Sequence, residues 1–195
     1  MRKLVLGMAL ASTALATPAL ARDGSWYVEV DGGAMIVEDQ KLNVGGTAGA
    51  AGIDYDYGYD FGGIVGYDFG GFRLEAEASY READPESLTS TVGIPTTSGA
   101  LAARRTGTFN APNTAGDGNV LSFMLNAMLD FGPDDGLQGF VGGGAGVARV
   151  KIENSIDPTG QGFLNDSDSG FAWQAIAGVR APISDNWDVG LKYRF

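Results

Sequence analysis

Neither cysteine nor histidine occurs anywhere in the 195 residues. Without cysteine an exported chain cannot be held together by disulfides. Without histidine it lacks the commonest general base and the commonest metal ligand. Long apolar runs are also missing beyond the first 21 residues, so no later segment can cross a bilayer as a helix. That excludes a helical inner-membrane protein. It does not exclude crossing by strands, whose alternation leaves hydropathy near neutral; the mean hydropathy is -0.02. Basic residues are scarce, 13 against 24 acidic ones, for a net charge of -11. Such a surface repels phosphate backbones, which argues against nucleic acid as a partner.

What is present begins with an export signal. Arg2 and Lys3 start it, Leu4 to Leu20 is almost wholly apolar, and Ala19-Leu20-Ala21 has the small-x-small form of a cleavage site. Pro18 and the shortness of the stretch count against a membrane anchor. Residues 1–21 are therefore expected to be removed, leaving 22–195 as one domain with a net charge of about -13. Glycine is abundant, with 31 residues lying inside apparent strands as well as in loops. In a strand it is favoured where a bend or close backbone approach requires it.

A period of two marks seven strands, at about 25–36, 53–67, 72–81, 120–131, 137–151, 170–181 and 187–195. In the second, Tyr55, Tyr57, Tyr59, Phe61, Val65 and Tyr67 share one face, opposite Asp54, Asp56, Gly58 and Asp60. The third sets Phe72, Leu74, Ala76, Ala78 and Tyr80 against Arg73, Glu75, Glu77, Ser79 and Arg81. A helix cannot produce this pattern, because residues i and i+2 do not share a helical face. The fifth strand is glycine-rich; Val141, Ala145 and Val147 are expected to face out and Gly142, Gly144 and Gly146 in.

Connections alternate between short turns and long polar loops, the latter at about 37–52, 82–119 and 152–169. Short turns at one rim and long loops at the other are the pattern of an outer-membrane barrel. Aromatic placement separates that reading from a soluble sandwich. Trp26, Tyr67, Phe72 and Trp187 gather toward the short-turn rim, while Tyr55, Tyr80, Phe171, Trp173 and Tyr193 gather toward the other. Two aromatic girdles around an aliphatic band suit rings that prefer the headgroup level. The expected fold is an all-β, antiparallel, up-and-down transmembrane barrel.

The stretches "FRLEAEASYR", "GNVLSFMLNAMLDFG", "FVGGGAGVARV", "FAWQAIAGV" and "WDVGLKYRF" resemble the outer membrane protein A transmembrane-domain family and the related opacity-type surface porins. The resemblance implies an eight-stranded barrel in the outer membrane of a Gram-negative bacterium, folded by the barrel assembly machinery. It implies structural, adhesive or weak pore roles and no cofactor. The separate wall-binding domain that often accompanies that family has no counterpart in these residues.

Within the barrel, inward charges must pair, because eight strands leave room for side chains and little else. Glu29, Asp60, Glu75, Glu77, Lys192 and Arg194 are the expected network, with Lys192 reaching Glu75 or Glu77. A static plug is the favoured role, a gate the alternative. The functional reading is a structural and surface-interaction barrel contacting lipid, lipopolysaccharide and an external ligand through its loops. A small passive porin is the alternative, and a barrel enzyme ranks below both. Asp54, Asp56 and Asp60 form a hydrated wall rather than an acid–base cluster. Asn165-Asp166-Ser167-Asp168-Ser169-Gly170 lacks the distal glutamate of a calcium loop. Arg104-Arg105, the adjacent basic pair beyond the signal, is a candidate loop contact.

Seven strands are an odd number where single-chain bacterial barrels are even. The expectation is thus a chain lacking the last strand of its barrel; direct pairing of the first and seventh, or a strand near 101–109, would be the escapes. Membrane residence has a direct check. The detergent-extracted protein should run compactly unheated and shift its gel mobility on boiling; folding in buffer without detergent or lipid would defeat the barrel reading.

Overall fold

The computed structural model describes residues 8–13, 24–44, 46–95, 104–110, 115–155 and 164–195. Twelve strands run in chain order as β1 (Met8–Thr13), β2 (Ser25–Val37), β3 (Gln40–Val44), β4 (Thr47–Tyr55), β5 (Gly58–Asp68) and β6 (Phe72–Ala83), then β7 (Pro85–Pro95), β8 (Arg104–Asn110), β9 (Ala115–Phe131), β10 (Gln138–Ser155), β11 (Leu164–Ser184) and β12 (Trp187–Arg194). Eight of them close an antiparallel barrel in the order β1-β12-β11-β10-β9-β6-β5-β2, and β3-β4-β7-β8 form a separate four-stranded sheet.

Seven barrel strands are those that the alternation marks. The eighth place goes to neither expected escape. It is held by β1, within the stretch read as an export signal, which pairs Met8 to Thr13 with Val37 to Gly32 on β2 and Leu10 to Thr13 with Arg194 to Leu191 on β12. A seven-stranded sheet would leave two unpaired edges in lipid, where each unbonded amide costs several kcal/mol. An apolar, turn-free segment can bond both.

Outward positions carry no charge from Trp26 to Ile36 on β2, Tyr59 to Tyr67 on β5, Phe72 to Tyr80 on β6, Leu121 to Phe131 on β9, Gly139 to Val147 on β10, Phe171 to Ala181 on β11 and Trp187 to Phe195 on β12. Large apolar side chains lie bare there, Leu125 at 71 % exposure and Phe171 at 79 %. Water would penalise such a belt, whereas lipid accommodates it. Short turns close one rim. Asp68 Oδ1 accepts from Gly70 N at 2.8 Å, and Gly70, at φ 99°, supplies the left-handed conformation that the turn needs.

Two expectations need correction. The second strand is not continuous from 53 to 67: it breaks at Asp56-Tyr57, where Asp56 N bonds to Asp84 O at 3.0 Å and the chain changes sheets. Tyr55 therefore lies outside the lipid girdle. It packs against Met35, Val37 and Ala83 at the barrel mouth and against Ile53 and Leu88 of the external sheet. Nor are 37–52 and 82–119 plain loops, since both supply strands of that sheet. Their alternation is muted because neither face meets lipid. The stretch near 101–109 does hold a strand, β8, but it pairs with β7 in the external sheet.

Inside, volume is shared across ladder rungs. Tyr27 faces Gly66, Asp31 faces Gly62, Met128 faces Gly142, Asn126 faces Gly144 and Met124 faces Gly146. A Cβ on Gly66 would enter the Tyr27 ring, while one on Gly63, which looks outward on the same strand, would meet nothing within 4 Å. Overpacking of this kind costs about 1–3 kcal/mol or more. Gly66→Val should sharply reduce the compact gel species after refolding, and Gly63→Val should leave it intact. Equal yields from the two would show that the lumen is slack.

Candidate functional site

The lumen concentrates the chain's buried charge, in two connected tiers. Toward the short-turn rim Arg73 is the hub. Its Nε and Nη2 donate to Asp130 Oδ2 and Oδ1 at 2.8 and 3.1 Å, and its Nη1 donates to Glu75 Oε1 at 3.0 Å. This bidentate geometry is what guanidinium supplies and ammonium does not. Tyr27 Oη donates to the same Glu75 oxygen at 2.5 Å, and the Arg73 guanidinium lies 5.2 Å from the Phe140 ring centroid. Arg180 continues the tier to Asp68 at 3.3 Å and to Gln138 Oε1 at 2.7 Å.

Toward the long-loop rim the hub is Arg194 on β12. It is 0 % exposed and pairs with Asp31 on β2, with Asp60 on β5 at 3.2 Å and with Glu77 on β6 at 2.9 Å. β6 is diametrically opposite β12 in the closed order, so the contact with Glu77 crosses the full width of the lumen. Arg81 lies 3.6 Å from Asp60. Asn126 links the tiers, its Nδ2 donating to Glu75 Oε2 at 3.5 Å and to Glu77 Oε2 at 2.8 Å, and Gln174 braces it by donating to Glu77 Oε2 at 2.9 Å and to Asn126 Oδ1 at 2.8 Å.

All six expected lumen residues face this interior. Lys192, however, reaches Glu29 at 2.5 Å and Asp31 at 2.6 Å rather than Glu75 or Glu77. The cations on those two glutamates are Arg73 and Arg194. Strand tilt explains the change, because it raises or lowers β12 relative to β6 by an amount that residue counting along one strand does not reveal. Sequence reading left out Tyr27, Asp31, Arg73, Arg81, Asp130 and Arg180, although their inward parity was legible.

Of the girdle residues, Trp26, Tyr67, Phe72 and Trp187 flank the short-turn rim. Trp26 meets the Tyr67 ring edge-on at 5.3 Å, and Phe69 and Phe72 extend the group by stacking at 4.5 Å. Tyr80, Phe171, Trp173 and Tyr193 stand exposed on the same outer wall, with Trp173 against Phe195 at 6.0 Å. Phe69 was missed because it sits in the turn between β5 and β6, where parity gives no warning; Phe195 shares the outward parity of Leu191 and Tyr193 but was not counted in the girdle.

The remaining candidates disperse. Asp54 accepts from Ser87 Oγ at 2.5 Å in the external sheet, Asp56 is exposed at the sheet junction and Asp60 lies in the lumen. The run from Asn165 to Gly170 is extended strand, and among the described residues no three acidic groups converge as a metal site would require. Arg105 is exposed on β8; Arg104 pairs with Pro95 through the backbone. Glu29, Asp31, Asp60, Asp68, Glu75, Glu77 and Asp130 each lie within 4 Å of an arginine or lysine on the lumen wall, an arrangement that suits holding strands together.

Comparison with known proteins gives two findings. The family model for the outer membrane protein beta-barrel domain matches residues 7–195. Outer membrane protein PagN of Salmonella typhimurium is 29 % identical over 79 residues, 39 % of this chain and 33 % of that protein. The chain thus matches about a third of the relative's length.

Removing a hub tests the network's weight. Stripping one partner from a buried pair costs about 3–5 kcal/mol. Arg194→Ala, which abandons three carboxylates, should reach that range in urea unfolding from lipid vesicles. Lys192→Ala should lose less, because Glu29 keeps 26 % side-chain exposure and regains water. Equal midpoints for both variants and the wild type would mean that the lumen charges are solvated rather than paired.

Proposed function

The chain belongs to the outer membrane protein β-barrel domain family, and from that premise we propose a structural and surface-interaction barrel with a plugged lumen. The observation that carries the plug is Arg194, fully buried and bonded to carboxylates on three strands across the barrel. A passive pore needs that cross-section empty. The external sheet supports the interaction role, since surfaces presented by a rigid scaffold are where binding resides. It carries Lys41, Thr108 and Arg105 exposed to the outside.

On this reading residues 1–21 are removed on export, β1 with them, and 22–195 form the barrel domain, with a further strand taking β1's place between β2 and β12 when the barrel machinery assembles it into a Gram-negative outer membrane. Lipid and lipopolysaccharide surround the wall, and an external ligand meets the sheet, with Arg104 and Arg105 among its contacts. The role is non-enzymatic and uses no cofactor. The paired state of the lumen carboxylates supports this, as an acid–base catalyst needs a group free to exchange its proton with substrate.

Planar-bilayer recording separates the plug from the porin. The wild-type protein should show no steady, sizeable single-channel current. Arg194→Ala, if it folds to the compact gel form, should raise conductance by opening the tier. Steady currents from the wild type would replace this reading with the small passive porin.

A further inference from the structure

We propose that Arg149 and Lys151, on the outer wall of β10 at the long-loop rim, bind a phosphate of an outer-leaflet glycolipid headgroup of the lipid A class. The proposal deepens the lipid-partner reading above by giving it a site.

The position of these residues carries the argument. On β10 the charge-free band ends at Val147, and the next two outward residues are Arg149 and Lys151. Strand rise puts them about 7 Å apart, which one headgroup can span. Ladder pairing then builds a compact patch. Leu121, Arg149 and Ser169 form one row across β9, β10 and β11, and Asn119, Lys151 and Ser167 form the row above it. The patch offers a guanidinium, an ammonium, two hydroxyls and an amide, all side chains able to donate to phosphate oxygen. Arg149, Ser167 and Ser169 are exposed.

The same handover elsewhere on the rim has different chemistry. The first outward polar residue past the band is Glu38 after β2, Glu82 on β6, Asn119 on β9 and Ser169 on β11. Among the described residues the outward-facing cations of the barrel wall are thus Arg149 and Lys151, both on one strand of an otherwise acidic chain. Lys151 pairs with Glu153 at 2.8 Å, but both side chains are substantially exposed, at 42 % and 37 %. Such a solvent-screened pair is weak and gives way to a doubly charged phosphate. A protein or nucleic-acid partner would have to reach a patch flush against the hydrocarbon edge, next to Val147 and Phe171, where lipid heads already sit.

The test uses the full chain refolded in detergent micelles. Its folding is verified by gel mobility, and it is titrated with diphosphoryl lipid A or fully dephosphorylated lipid A while bound lipid is counted by native mass spectrometry. Each basic residue near an anionic lipid surface contributes about fivefold in binding, so R149Q/K151Q should weaken diphosphoryl lipid A binding by more than tenfold. D135N, a control in the short turn at the opposite rim, should bind as the wild type does, and dephosphorylated lipid A should bind the wild type as weakly as the phosphorylated form binds the double variant. Unchanged affinity in R149Q/K151Q, or equal binding of the two lipids by the wild type, overturns the site. A wild type that shows no heat-dependent mobility shift would instead defeat the barrel itself.

Discussion

An amide in hydrocarbon has no water to bond, so every peptide group in the wall must find its partner on an adjacent strand. The closed order of eight strands follows, with β1 bonded on both sides, and so does the sharp difference between wall and cap. Above the lipid the constraint lapses. There the chain leaves the barrel at Asp56-Tyr57, and β3, β4, β7 and β8 pair among themselves instead of extending the cylinder.

Closure at eight strands fixes a narrow interior, and that narrowness sets the chemistry. Inward charges stand too close together to remain solvated, so each must be matched by one of opposite sign or by a donor. Arg194 and Arg73 do most of this, each binding several acceptors through a planar group that lysine could not imitate. The two linking amides, Asn126 and Gln174, join the hubs into one network whose members hold opposite walls in register. The same charges that would favour a water channel in a wider barrel here fill the bore.

The seven long strands were legible because lipid and lumen impose opposite demands on neighbouring residues, writing a period of two into the chain. Where neither environment reaches, the writing fades. Thr47 to Gly52 in β4 and Arg104 to Thr108 in β8 hold only small, polar or charged residues, and no alternation announces them. Tyr55 illustrates the boundary: the run of alternate tyrosines continues unbroken past the point where the chain changes sheets. β1 was unreadable for the opposite reason, being apolar on every residue but its last two. Pairing partners in the lumen were only half legible. Parity told which side chains look inward, but the level at which they meet depends on tilt, so Lys192 was assigned the wrong glutamates.

The rungs that pair a large side chain with a glycine make volume a joint property of two strands. Met124 and Gly146 fill their level together, as do Met128 and Gly142. Either occupant can change only as the other permits: enlarging the glycine first produces a clash, and shrinking the methionine first leaves a hole. Drift in such a lumen is therefore epistatic. Its substitutions are expected to travel in cross-strand couples, with the two sites exchanging bulk over generations while the bore between them keeps its fill.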